Sequence, residues 1–83
     1  MNQRKVLAAL LKVYQERINE LQCKLDDLEF TSDEWQKVNH EKRTIRNMRK
    51  GALELAYDLW IIDVDEFEHP YGISELIEKL EAE

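Results

Sequence analysis

The chain has 83 residues, with 12 Lys and Arg against 18 Asp and Glu, a net charge of −6. That length bounds it to one domain, and the acidic balance argues against general affinity for nucleic-acid phosphates, which needs a basic footprint. A single cysteine, Cys23, excludes an intramolecular disulfide framework, and only two Gly and one Pro imply few elements and long helices.

Residues 2–29 read as the first helix. Leu7, Leu11, Tyr14, Ile18, Leu21, Leu25 and Leu28 follow one another at alternating spacings of four and three, the a/d stripe of a coiled coil. The positions between are mostly Lys, Arg, Glu, Gln and Asp, as a solvated face requires. Cys23 falls on the outward side, an arrangement suited to a reducing cytosol. Met1–Lys5 leads into the amphipathic pattern without an apolar leader, so no signal peptide is expected.

The segment Phe30–Trp35 reads as a helix start. Thr31 can cap the next helix while Glu34 answers to the Thr31 amide, a capping box, and Phe30 can pack on Trp35 as a hydrophobic staple. So short a connection sends the second helix back antiparallel beside the first. That helix is expected over residues 32–63, with a seam of Val38, Ile45, Met48, Ala52, Leu55, Leu59 and Ile62 and with Glu41 as its polar exception. Gly51 lies inside it, either to permit a close approach or slight bend or as a tolerated exposed residue. The longest apolar stretch, Leu53–Val64, is broken by Glu54, Asp58 and Asp63. It falls short of the roughly 20 apolar residues that span a bilayer, so no membrane partner is expected.

Residues 64–72 form the next connection, in which His69-Pro70-Tyr71-Gly72 suits a type I turn. Ile73, Leu76, Ile77 and Leu80 then mark a third helix over residues 73–82. The fold expected is all-α: a long antiparallel helical hairpin with a coiled-coil-like seam, plus a short C-terminal helix that makes a three-helix bundle at one end.

One end of this hairpin carries more apolar residues than a two-helix seam uses. Leu53, Tyr57, Trp60, Ile61 and Val64 lie off the seam of the second helix, and Val6, Leu10 and Val13 lie off that of the first. A short third helix covers part of them. The remainder points to a homodimer or a dedicated protein partner docking through these eight residues, because monomers rarely leave a large apolar patch open. The competing arrangement is a compact bundle with Tyr57 and Trp60 in its core.

Lys42, Arg43, Arg46, Arg49 and Lys50 form a basic run in which Arg43, Arg46 and Lys50 share one helix face. Either the three contact an anion, or they pair with Glu16, Glu20, Asp26 and Asp27 of the first helix. Asp58, Asp63, Asp65, Glu66, Glu68, Glu75, Glu78, Glu81 and Glu83 make the other end acidic, a display that can imitate nucleic-acid phosphates. Asp63-x-Asp65 lacks the third ligand, the Gly and the closing Glu of a calcium loop. Asp65, Glu68 and His69 offer one His among carboxylates, so no metal is expected. His40 and Cys23 have no visible activating partner, and neither a nucleophilic triad nor a Gly-rich phosphate loop is present. The functional expectation is a small cytoplasmic, non-enzymatic regulatory or adaptor protein. It would act by protein–protein contact, through a homodimer or a partner, with no cofactor and no small-molecule substrate. The alternatives are an acidic nucleic-acid mimic and, behind it, direct nucleic-acid binding by Arg43, Arg46 and Lys50.

Overall fold

The computed structural model describes residues 2–68 and 72–83. They form four helices: α1 (Gln3–Asp27), α2 (Asp33–Asp58), α3 (Val64–Glu68) and α4 (Ile73–Glu81). α1 and α2 make the antiparallel hairpin, and α4 packs on α1 at the open end. The overall dimensions are 42 × 24 × 22 Å. The turn expected at residues 69–72 lies, apart from Gly72, outside the described residues, as does His69. No helix among the described residues is long and apolar enough to cross a membrane.

The first helix behaves as its periodicity requires. Leu7, Leu11, Ile18, Leu21 and Leu25 are buried, Tyr14 and Leu28 are half-buried, and Cys23 is exposed. Asn2 caps it by accepting from the Arg4 and Lys5 amides. At the hairpin turn the cap is Ser32 rather than Thr31: the Ser32 hydroxyl accepts from the Trp35 amide at 3.2 Å. Thr31 instead adopts a left-handed conformation, φ +65°, and its hydroxyl donates to the Phe30 carbonyl. Glu34 therefore sits in the first turn, where a carboxylate suits the helix dipole, and no capping box forms. The aromatic pair does form, Phe30 meeting Trp35 edge to face at 4.8 Å.

The seam of α2 differs from the expected one. Its inward positions are Trp35, Val38, Lys42, Ile45, Arg49, Ala52, Leu53 and Ala56, all half-buried or buried. Met48, Leu55 and Leu59, expected in the seam, are exposed. Lys42 and Arg49 lay their hydrocarbon stems along α1 while their charged heads reach glutamines there. Lys42 Nζ donates to Gln22 Oε1, and the Arg49 guanidinium donates to Gln15 Oε1 at 2.5 Å. Glu41 lies outside the seam and pairs with Arg17 at 2.6 Å. Leu53, expected at an interface, is buried.

α2 also ends at Asp58, before the residue 63 that its apolar run suggests. The Trp60 amide donates to the Tyr57 carbonyl and the Ile61 amide to the Ala56 carbonyl, the paired bonds of a Schellman stop. Such a stop needs a left-handed residue, usually Gly, and here Trp60 supplies it at φ +63°. The chain turns back so that Ile62 enters the core and Ile61 packs against it. The expected connection over 64–72 then contains α3. Asp63 and Glu66 cap α3 reciprocally: the Glu66 amide donates to Asp63 Oδ1 at 2.8 Å and the Asp63 amide to Glu66 Oε1 at 3.0 Å. Phe67 of α3 stacks on Tyr57 at 5.0 Å. α4 closes the bundle with Leu76, Ile77 and Leu80, which join Leu7, Ala8, Leu11, Leu53, Ala56 and Ile62 in one core.

Candidate functional site

A charged clasp fastens the three-helix end and defines what it leaves open. The Glu66 side chain is only 4% exposed. Arg4 donates to both its oxygens, at 3.0 and 2.5 Å, and Lys79 Nζ stands 3.1 Å from Oε2. Arg4 also donates to the Ile61 carbonyl at 2.8 Å and pairs with Glu83. One guanidinium thus ties α1 to the α2 stop, to α3 and to the C-terminus. Its hydrogen bonds hold the Glu66 carboxyl down to about 2 against burial, which works the other way; the same bonds raise the pKa of Arg4. Arg4, Glu66 and Lys79 were not legible as a set, being scattered over the whole chain. The one local sign was Asp63-x-x-Glu66, the spacing of a capping box.

The clasp also bears on the acidic display. Glu66 is buried and bound, Glu83 pairs with Arg4, and Glu81 stands 3.9 Å from Lys12. These carboxylates are partly or wholly occupied within the fold.

α4 leans on α1, and the opposite side of the hairpin stays open. Val6, Leu10 and Val13 of α1 and Met48 and Leu55 of α2, with the cap residue Leu59, are each 41–61% exposed. Gln3, Val6, Leu10, Ala52, Leu55, Leu59 and Ile61 border a groove of about 460 Å³ floored by Leu7 and Ala56. The stripes recur at helical spacing, 3-6-10-13-17 on α1 and 41-45-48-52-55-59 on α2, and the Arg17–Glu41 pair stands at their hairpin-turn end. Trp60, expected either at an interface or in a core, is 92% exposed. The core alternative is therefore excluded for Trp60, and Tyr57 is also exposed. Of the eight expected interface residues, Val6, Leu10, Val13, Tyr57, Trp60 and Val64 are exposed, Ile61 is half-buried and Leu53 is not accessible. Met48, Leu55 and Leu59 join the open face because Lys42, Arg49 and Ala56 took the seam.

The other face of α2 carries the basic run. Arg43, Arg46, Arg49 and Lys50 line a groove of about 680 Å³ with Asn47, over a floor of Leu53, Phe67 and Ile73. Its walls come from α2, its floor from Leu53 of α2, Phe67 of α3 and Ile73 of α4. Among the described residues no ion pair joins Arg43, Arg46 or Lys50 to Glu16, Glu20, Asp26 or Asp27; Glu20 pairs with Arg17 instead. Burial and the neighbouring Arg46 charge push the pKa of Arg49 down. Comparison with protein families, with curated proteins and with solved structures finds no match for this chain.

Proposed function

We propose that the protein is a small non-enzymatic regulatory or adaptor protein of the cytoplasm, acting by protein–protein contact, and that its open α1–α2 face pairs with a second copy of the chain. The observation that carries this reading is the run of six large apolar side chains, Val6, Leu10, Val13, Met48, Leu55 and Leu59, on one face of a two-helix hairpin. Water penalises such a contiguous apolar surface, and monomers rarely keep one. Two antiparallel helices with outward apolar stripes are half of a four-helix bundle, and an identical hairpin laid across them completes it with ridges from each copy seated over the small residues Ala52 and Ala56. Trp60, between the groove-lining Leu59 and Ile61, adopts a conformation that costs a side-chain-bearing residue about 1–2 kcal/mol. Its ring is almost fully exposed and adds a large apolar surface available to a partner.

Sedimentation equilibrium of the wild type and of Leu55→Asp/Leu59→Asp tests the proposal. The wild type is expected to be dimeric at micromolar concentration. The variant is expected to be monomeric with an unchanged helical circular-dichroism spectrum, since both residues lie outside the core. A wild type that stays monomeric at near-millimolar concentration refutes self-association.

A further inference from the structure

We propose that the basic groove between α2, α3 and the start of α4 is a second binding site, and that its ligand is an acidic amphipathic helical segment of a partner protein. Four of the 12 Lys and Arg of an acidic chain line this single groove. Arg43, Arg46 and Lys50 succeed one another a turn apart, so their charges extend along about 10 Å of helix at 1.5 Å per residue. A lone small anion meets one or two of them. A helix laid along α2 with Asp or Glu at the same three- and four-residue spacing meets all three at once. Crowding Arg49 beside Arg46 in a half-buried position works against the fold, and an opposing carboxylate row relieves that cost.

The floor decides the remaining chemistry. Leu53 and Ile73 are aliphatic and lie under the cationic rim with Phe67. Leu53 and Ile73 suit an apolar side chain projecting from the same face as the ligand's carboxylates; nucleic-acid bases gain most from open aromatic platforms, and the floor's aromatic, Phe67, is already stacked on Tyr57. The net charge of −6 also works against a long polyanion more than against a short acidic helix, whose fewer charges can all lie within the basic groove. The groove and the open apolar face share no lining residue and lie on opposite sides of α2, so this site stands or falls independently of self-association.

The test is a random-peptide display selection on the intact chain, with counter-selection on Arg43→Glu/Arg46→Glu, followed by fluorescence anisotropy of the enriched peptides. Both substituted side chains are exposed and the folded core does not use them. The enriched peptides are expected to carry at least two Asp or Glu at helical spacing with one large apolar residue. Their affinity is expected to fall about tenfold or more in the double variant, because reversal sets like charges face to face, and to persist in Leu55→Asp/Leu59→Asp. Peptides without acidic bias, or affinities equal on wild type and double variant, overturn the proposal. A fluorescent single-stranded oligonucleotide serves as the rival probe. Tighter binding of that probe, lost in the same double variant, assigns the groove to nucleic acid and overturns the proposal as well.

Discussion

Replacing Glu66 with Gln tests the clasp, because it removes one charge and keeps the shape. In the folded chain the carboxyl is held at about 2, against an ordinary value of 4.5. A depression of that size corresponds to about 3 kcal/mol of stability at neutral pH, at 1.36 kcal/mol per unit. A domain of 83 residues has a total of roughly 4–12 kcal/mol, so the loss is large but leaves a folded variant. Because the folded pKa is the lower one, the contribution is complete above about pH 4.5 and fades as the pH falls toward about 2. By pH 3 less than half of it remains. Urea unfolding of wild type and Glu66→Gln, followed by circular dichroism from pH 7 to pH 3, measures the difference directly, and the other carboxylates cancel because both proteins share them. The expected gap is about 3 kcal/mol at pH 7, shrinking by more than half at pH 3. A gap that stays constant across that range, or none at pH 7, would falsify the claim that ionised Glu66 fastens the bundle.

Four further substitutions probe single backbone and cap positions. A Cβ at Gly51 meets nothing within 4 Å, which removes a close backbone approach as its explanation, so Gly51→Ala should stabilise the chain by about 1 kcal/mol and raise the thermal midpoint by about 4–8 °C. Ser32→Ala should cost about 1 kcal/mol in urea unfolding, whereas Glu34→Gln should change stability by no more than a few tenths, because at the start of α2 the orphan amide is bonded by Ser32 and not by Glu34. Trp60→Asn should leave the monomer as stable or up to about 1 kcal/mol more stable, since Asn accepts a left-handed conformation and the exposed ring contributes little to the core. The same variant should weaken self-association by sedimentation.

Apolar periodicity determined the long helices and the third apolar stripe, the short connection gave their antiparallel sense, and the staple spacing gave the Phe30–Trp35 pairing. Each of these depends on residues a turn or two apart, and local spacing encodes such contacts directly. The seam of α2 was not legible, because apolar counting treats Lys42 and Arg49 as surface residues. Their stems pack inward only once Gln22 and Gln15 stand opposite to receive the charges. Leu53 with Ala56 and Leu55 with Leu59 are both apolar pairs, and only the packed bundle shows the first in the core with Leu76, Ile77 and Leu80 and the second exposed. The end of α2 was likewise hidden: no Gly or Pro marks it, and a Trp adopts the left-handed stop because Ile62 gains a place in the core and Arg4 holds the Ile61 carbonyl. The basic run was visible as a stripe, but its becoming a groove with an apolar floor required Phe67 of α3 and Ile73 of α4 to come beside Leu53. Sequence spacing determined which faces exist; tertiary packing decided which are spent on the core and which stay open, because burial is a competition among faces that only the assembled helices can settle.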